Sequence, residues 1–115
     1  MAPFVEDITD LNFECVVLGS SQPFLLDFSA TWCAPCKALD PILHSLAEQY
    51  RGQLRFGKID IDTSPGVASR LGVRGAPTLV LFRDGKEHSR RLGFTNRTGL
   101  VQLLGLTAQA AVAAP

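Results

Sequence analysis

Residues 24–29 read Phe-Leu-Leu-Asp-Phe-Ser, a nearly continuous apolar run that is interrupted by Asp27. Such a run is typical of a strand that is covered on both faces. Apolar residues then recur at the three- and four-residue spacing of a helix: Leu39, Ile42, Leu43, Leu46, Ala47 and Tyr50. The pattern therefore predicts a central strand that is followed by a long helix over residues 33–51.

Further segments have the pattern of strands. We predict a short edge strand at residues 4–8 and a second interior strand at residues 54–61. Residues 78–82 and 86–92 flank Asp84-Gly85, a dipeptide that is typical of a β-hairpin turn.

Three shorter helices complete the prediction. Thr9 or Asp10 can cap the first, which ends near Gly19 and whose apolar face is Leu11, Cys15 and Leu18. Ser64-Pro65 opens the second as cap and first position, and Gly72 closes it. Thr95 or Asn96 caps the last, whose apolar face is Leu100, Leu103 and Leu104.

The order of the elements predicts an α/β protein. Interior parallel strands with one antiparallel hairpin give a three-layer α/β/α sandwich, with a central mixed five-stranded sheet flanked by four helices. At 115 residues the chain is expected to form one domain, over residues 1–106. Residues 107–115 are mostly alanine and are expected to fray as a tail.

Composition and charge restrict the partners. The net charge is zero, so no bulk attraction to nucleic acid or membrane is expected. Residues 1–69 hold four Lys/Arg and nine Asp/Glu, a balance of −5, whereas residues 70–115 hold seven and two, a balance of +5. This separation is either an ordinary solvated surface or a basic edge that selects protein partners, which charge reversal at Arg90 and Arg91 would test.

The sequence favours a reducing compartment. It has no apolar run of about 20 residues that could span a membrane. The first twenty residues contain Glu6, Asp7, Asp10 and Glu14 without Lys or Arg, unlike a secretory signal. We therefore expect a cytoplasmic protein, in which close cysteine pairs are more often catalytic than structural.

Cys33 and Cys36 lie where the central strand passes into the long helix. Residues three apart in a first helical turn have β-carbons about 5–6 Å apart, which allows a disulfide to form and open. Closing so short a loop stabilises a fold by only about 2 kcal/mol, so the pair suits redox chemistry better than cross-linking. A helix start also favours a thiolate, so Cys33 is predicted to be the exposed attacking thiol and Cys36 the shielded resolving thiol.

Other interpretations of these residues are open. A zinc site needs four ligands, and the remaining candidates, Cys15, His44 and His88, are not paired at ligand spacing. Cys15 falls in an apolar pattern, which predicts a buried, inert thiol, and the alternative is a regulatory one. The buried Asp27 is either a satisfied structural carboxylate or the proton acceptor of Cys36, with a raised pKa.

The chain resembles the thioredoxin family. The resemblance covers about residues 4–106 and rests on an ordered set of motifs: Trp32-Cys33-Ala34-Pro35-Cys36, Pro41, Lys58-Ile59-Asp60-Ile61-Asp62, Arg74-Gly75-Ala76-Pro77-Thr78, Asp84-Gly85 and Gly93. It implies a thioredoxin-like fold and a protein-disulfide reductase that holds no cofactor and is recycled by a flavin- and NADPH-dependent thioredoxin reductase. The main alternative is an accessory or assembly subunit that does not need its cysteines.

The resemblance also implies roles for individual residues. Asp27 exchanges a proton with Cys36, and Lys58 lies beside it on the next strand. Pro77, which base rates alone would make trans, is implied to be cis and to face the disulfide. Substrate is implied to dock on a surface around the pair: Trp32, Ala34, Pro35, Gly75, Ala76, Pro77 and Gly93. Ala34 replaces the glycine that is usual between the two cysteines.

Overall fold

The computed structural model describes residues 4–105. Five strands run through this part of the chain: β1 (Val5–Ile8), β2 (Phe24–Ser29), β3 (Arg55–Asp60), β4 (Thr78–Arg83) and β5 (Lys86–Leu92). Four helices join them: a π-helix (Phe13–Leu18), α1 (Ala34–Gln49), α2 (Pro65–Arg70) and α3 (Arg97–Leu103). The predicted order of elements is confirmed, and most bounds agree within two residues.

The strands form one mixed sheet in the order β1-β3-β2-β4-β5. β3 is parallel to both β1 and β2, whereas β4 is antiparallel to β2 and to β5. The strand β2 is therefore central, as predicted, and its carboxyl end leads into α1. The two cysteines, at the start of α1, therefore follow the carboxyl end of the central strand.

Two apolar layers cover the sheet, because successive strand residues point to opposite faces. One layer contains α1 and α3 residues packed on Leu25, Phe56, Leu79 and Leu81. The other contains π-helix and α2 residues packed on Phe24, Leu26, Phe28, Ile59, Val80 and Phe82. These layers make the predicted three-layer α/β/α sandwich.

The apolar face of the first helix was predicted wrongly. Phe13 and Val17 are buried, whereas Leu11 is 97% exposed and Cys15 is exposed. The segment is a π-helix, in which the Gly19 N–H donates to the carbonyl of Glu14, five residues back. This wider turn directs Phe13 toward the sheet, where its ring packs edge-on against Phe82.

The caps of the shorter helices differ in part from prediction. Asn12, rather than Thr9 or Asp10, precedes the π-helix. Pro65 begins α2 as predicted, but Ser64 makes no capping hydrogen bond. The carboxylate of Asp10 instead accepts from the backbone N–H groups of Gly66 and Val67, at 2.9 and 2.8 Å.

The C-terminal half follows its sequence signals. Gly72, with φ +69°, follows α2, and Asp84 and Gly85 adopt positive φ in the hairpin turn. Asn96 caps α3 by accepting from the Gly99 N–H at 2.9 Å. The predicted tail, residues 107–115, and the predicted boundary at residue 106 lie outside the described residues.

Candidate active site

Cys33 and Cys36 form a disulfide, and their α-carbons are 5.3 Å apart. Cys33 is the N-cap of α1, and Pro35 occupies its first turn, where a missing N–H breaks no helical bond. The backbone N–H of Cys36 points at the Cys33 Sγ, at 3.2 Å. When the disulfide is reduced, this N–H and the positive end of the helix favour a thiolate at Cys33.

The predicted difference in exposure between the two cysteines is not present. Cys33 is 2% exposed and Cys36 is 1% exposed. Both pack with Ala30, Ile61 and Ala76, which cover the closed pair. The two sulfurs therefore differ in position on the helix rather than in access.

The loop before β4 lies against the disulfide. The Ala76–Pro77 peptide bond is cis, as the resemblance implied. The Cys33 Sγ lies 3.5 Å from the carbonyl oxygen of Ala76. The Gly93 N–H donates to the carbonyl of Pro77 at 2.8 Å, and the Thr78 hydroxyl donates to the carbonyl of Gly75 at 2.7 Å. Gly75, Ala76, Pro77 and Gly93, all predicted site residues, are thus brought together beside the cysteines.

The residues around the cysteines form an accessible rim. Trp32 is 65% exposed, and Ala34 and Pro35 are also exposed. The Trp32 indole N–H donates to the Asp62 carboxylate at 2.7 Å, which fixes the ring beside the disulfide. An aromatic ring that is held but exposed is typical of a docking surface.

Asp27 is completely buried in the middle of β2. Neither of its carboxylate oxygens has a hydrogen-bond partner among the described residues. The pKa of Asp27 is raised from 3.8 to about 7, chiefly because burial disfavours the charged form and secondly because of the negative charge of Asp40. The Lys58 charge acts in the opposite direction. Residues 4–105 therefore supply no hydrogen bond that would satisfy Asp27 as a structural carboxylate.

Lys58 is the register partner of Asp27 on β3, but its ammonium is paired elsewhere. It donates to both carboxylate oxygens of Asp40 on α1, at 3.0 and 2.9 Å. The sequence analysis did not single out Asp40, so its part in this site was missed. An acidic residue one helical turn after Cys36 was the available signal, because both lie on the same helix face.

A cavity of about 520 Å³ lies behind the disulfide. It is lined by Cys36 and by polar and charged residues that include Asp7, Ser29, Asp40, Lys58 and Asp60. Cys36 and the Asp40–Lys58 pair therefore line the same cavity.

Residues 4–105 contain neither a metal-binding cluster nor a membrane-spanning helix. Their His, Cys, Asp and Glu side chains form no cluster of three that could hold a metal ion. No helix within this range is long and apolar enough to cross a bilayer.

Comparison with known proteins identifies close relatives. The thioredoxin family model matches residues 4–105. A thioredoxin of Acidithiobacillus ferridurans is 41% identical over 97 residues, which is 84% of this chain and 90% of the relative. A thioredoxin of Pseudomonas aeruginosa is 38% identical over 104 residues, 90% of this chain and 96% of the relative. A bifunctional thioredoxin reductase/thioredoxin of Mycobacterium leprae is 40% identical over 96 residues, 84% of this chain and 21% of the relative.

Proposed function

This chain belongs to the thioredoxin family, and we propose that it is a general reductant of protein disulfides in which Cys33 attacks and Cys36 resolves. The protein is a thiol-disulfide oxidoreductase, and Cys33–Cys36 is its redox-active pair. The observation that carries the assignment of roles is the Cys36 N–H directed at the Cys33 Sγ. This N–H stabilises negative charge on the Cys33 sulfur.

The reaction has two exchange steps. The Cys33 thiolate attacks one sulfur of a substrate disulfide, forming a mixed disulfide and releasing the other substrate sulfur as a thiolate. Cys36 then loses its proton and attacks the Cys33 sulfur, which forms the Cys33–Cys36 disulfide and releases the second substrate thiolate. The substrate gains two electrons, and the cysteine pair loses two.

We assign the proton of Cys36 to Asp27. A carboxyl with a pKa of about 7 is partly ionised at neutral pH, so it can accept this proton and later return it. Lys58 modulates the acceptor through its charge. These roles are supported by the burial of Asp27 and by the cavity that Cys36 and Lys58 share.

Substrate is proposed to dock on the rim and the loop around the disulfide. Main-chain groups of Ala76 can pair with an extended substrate segment, a form of strand addition. The exposed ring of Trp32 supplies apolar contact area, together with Ala34 and Pro35. Gly75 and Gly93 extend this surface, and the buried Pro77 is joined to it through its carbonyl, which accepts from the Gly93 N–H.

A thioredoxin reductase that uses flavin and NADPH is proposed to return the pair to its dithiol form. The support is that the Mycobacterium leprae relative combines a thioredoxin reductase and a thioredoxin in one chain. Such recycling requires a reducing compartment, and we propose the cytoplasm.

The test is NADPH-coupled reduction of insulin disulfides with a general thioredoxin reductase. We expect turnover with the wild type, none with Cys33→Ser, and full turnover with Cys15→Ser. The last variant is a matched control, since Cys15 is an exposed thiol on the π-helix. The Cys36→Ser variant should retain substrates as mixed disulfides on Cys33. An inactive wild type would refute a general reductase and favour a dedicated electron donor or an accessory subunit.

A further inference from the structure

We propose that Asp40 is a positioning residue for the resolving step: it holds the Lys58 ammonium and thereby leaves the buried Asp27 carboxyl without a cation partner. The proposal rests on the function proposed above, in which Asp27 accepts the Cys36 proton. It concerns a residue that no motif in the sequence singles out.

The fold brings three charged side chains to one face of the sheet. Asp27 is two residues after Leu25 on β2, and Lys58 is two residues after Phe56 on β3. Since strand side chains alternate, both share the face on which Leu25 and Phe56 pack against α1. Asp40 reaches this face from α1 and contacts Lys58.

One cation is thus placed between two carboxylates. Lys58 is the register partner of Asp27, so it is the nearest cation on an adjacent strand. Both hydrogen bonds from its ammonium nevertheless go to Asp40, in a pair whose side chains are each 32% exposed. The Asp27 oxygens have no partner among the described residues.

The Asp40–Lys58 pair changes the pKa of Asp27 in two ways. Asp40 adds a nearby negative charge, and it also anchors the Lys58 ammonium, which would otherwise approach the carboxylate. Both effects raise the pKa of Asp27, in the direction that burial has already moved it.

The other charged groups facing this site are few. Asp7 on β1 is the register partner of Lys58 on its other side. Lys37 on α1 and Asp60 on β3 line the same cavity. Asp60 is held by the backbone N–H groups of Asp62 and Thr63. On the β4 side the register partner of Asp27 is the apolar Leu79.

The consequence concerns the proton of Cys36. The thiol gives its proton to the Asp27 carboxylate, the thiolate attacks the Cys33 sulfur, and the bond to the substrate sulfur breaks. Asp27 then returns the proton to solvent. If Lys58 neutralised Asp27 directly, the carboxylate would be a weaker base at the pH where the enzyme works.

The first experiment titrates the Asp27 carboxyl carbon by NMR in the oxidised protein. In this form the cysteine pair does not titrate, so no thiol is coupled to the carboxyl. We expect Asp40→Asn to lower the midpoint of Asp27 by about one pH unit. Glu48→Gln removes the same charge from an exposed position of α1 and should leave the midpoint unchanged. A midpoint in Asp40→Asn equal to that of wild type would overturn the proposal, even if the variant were less stable.

A double-mutant cycle tests whether Asp40 acts through Lys58. In a Lys58→Met background only the direct repulsion between the two carboxylates remains. Asp40→Asn should therefore shift the Asp27 midpoint less than it does with Lys58 present. Equal shifts in the two backgrounds would show that Asp40 does not position Lys58 and would overturn this part of the inference.

The third experiment follows the resolving step itself. Reduced protein is mixed with excess dithionitrobenzoate, and the slower, concentration-independent release of thionitrobenzoate reports the attack of Cys36 on the mixed disulfide. Its pH profile should move to lower pH in Asp40→Asn and not in Glu48→Gln. An unmoved profile would overturn the link to resolution.

The two hypotheses can fail separately. The carboxyl titration needs no turnover, so an unchanged midpoint together with normal insulin reduction would refute the role of Asp40 alone. A lowered midpoint together with no insulin reduction by the wild type would refute the general reductase while the Asp40–Asp27 coupling stands.

Discussion

At the scale of single residues, the protein keeps a destabilising carboxylate, that of Asp27, in its core. An unpaired carboxylate inside a sheet destabilises the native state in proportion to the change in its pKa. Asp27 has no hydrogen-bond partner among the described residues and lies between two apolar layers. Its place on the strand that leads to a redox-active disulfide is the reason we assign the residue to chemistry rather than to stability.

Replacement of Asp27 by Asn is therefore expected to stabilise the protein. Between pH 3.8 and about 7 the native carboxyl keeps its proton while the unfolded chain has lost it, so the free energy of unfolding falls as pH rises through this window. At about 1.4 kcal/mol for each pH unit, the loss is roughly 4 kcal/mol above the window. The variant should be about as stable as wild type below it and roughly 4 kcal/mol more stable above it.

Urea unfolding of the oxidised proteins across this pH range measures the effect. Asp40→Asn provides a second comparison, because it leaves the Asp27 carboxyl in place. If Asp27→Asn changed stability by the same amount at every pH, the effect would come from packing, and the raised pKa would be contradicted. Asp27→Asn should also slow the release of thionitrobenzoate that follows the attack of Cys36 on the mixed disulfide, since this variant lacks the proton acceptor.

At the scale of helices and strands, a contact between distant segments replaces a local cap. The first turn of α2 exposes backbone N–H groups, and Ser64 does not satisfy them. Asp10, which follows β1, accepts from two of them. The loop after β1 is thereby tied to the start of α2 on the same side of the sheet.

Asp10→Ala should remove this cap and lower the free energy of unfolding by about 1–2 kcal/mol, the usual effect of losing a capping side chain. Glu14→Ala is a suitable control. Glu14 is an exposed acidic residue of the same segment, and its contact with Arg70 is a 3.5 Å surface pair. Such pairs contribute about 0–1 kcal/mol. Equal losses in the two variants by urea unfolding would argue against a capping role.

The sequence predicted what depends on local signals. The apolar run of β2, the Asp84-Gly85 turn and Asn96 before α3 each act over a few residues, and each is where it was predicted. The wider turn at Phe13 and the cap from Asp10 depend on segments that are distant in the chain, so periodicity could not reveal them.

The same distinction holds in the site. The cysteine pair and the cis Pro77 follow from motifs, whereas the Asp40–Lys58 pair depends on how α1 lies over β3. The equal burial of the two cysteines also could not be anticipated, because it comes from Ile61 and Ala76 packing over the closed disulfide.

At the scale of the whole molecule, the separation of charge along the sequence becomes a separation across the sheet. Residues before 70 form β1, β3 and β2, and residues after 70 form β4, β5 and α3. Because the strand order is β1-β3-β2-β4-β5, the basic half of the chain occupies one edge. Arg91 is exposed at the end of β5 that leads to Gly93, beside Pro77.

Arg90 is not a suitable probe of this edge, although the sequence put it forward together with Arg91. Its guanidinium pairs with Glu87 at 2.7 Å and also donates to the carbonyl of Leu71. Reversal of its charge would break the attachment of β5 to the end of α2 and mix a structural effect with an electrostatic one. Arg91 and Lys86 are both exposed and lie near opposite ends of β5.

Arg91→Glu is expected to slow reduction of an acidic protein substrate by about two- to threefold at about 0.1 M ionic strength, because the basic edge steers such substrates toward the cysteines. Lys86→Glu makes the same change in net charge at the hairpin end of β5, roughly 17 Å away along the strand. At about 0.1 M ionic strength the Debye length is about 10 Å, so this control should have a smaller effect. The difference between the variants should vanish as salt is raised. Equal rates and equal salt dependence in wild type and Arg91→Glu would identify the basic half of the molecule as an ordinary solvated surface.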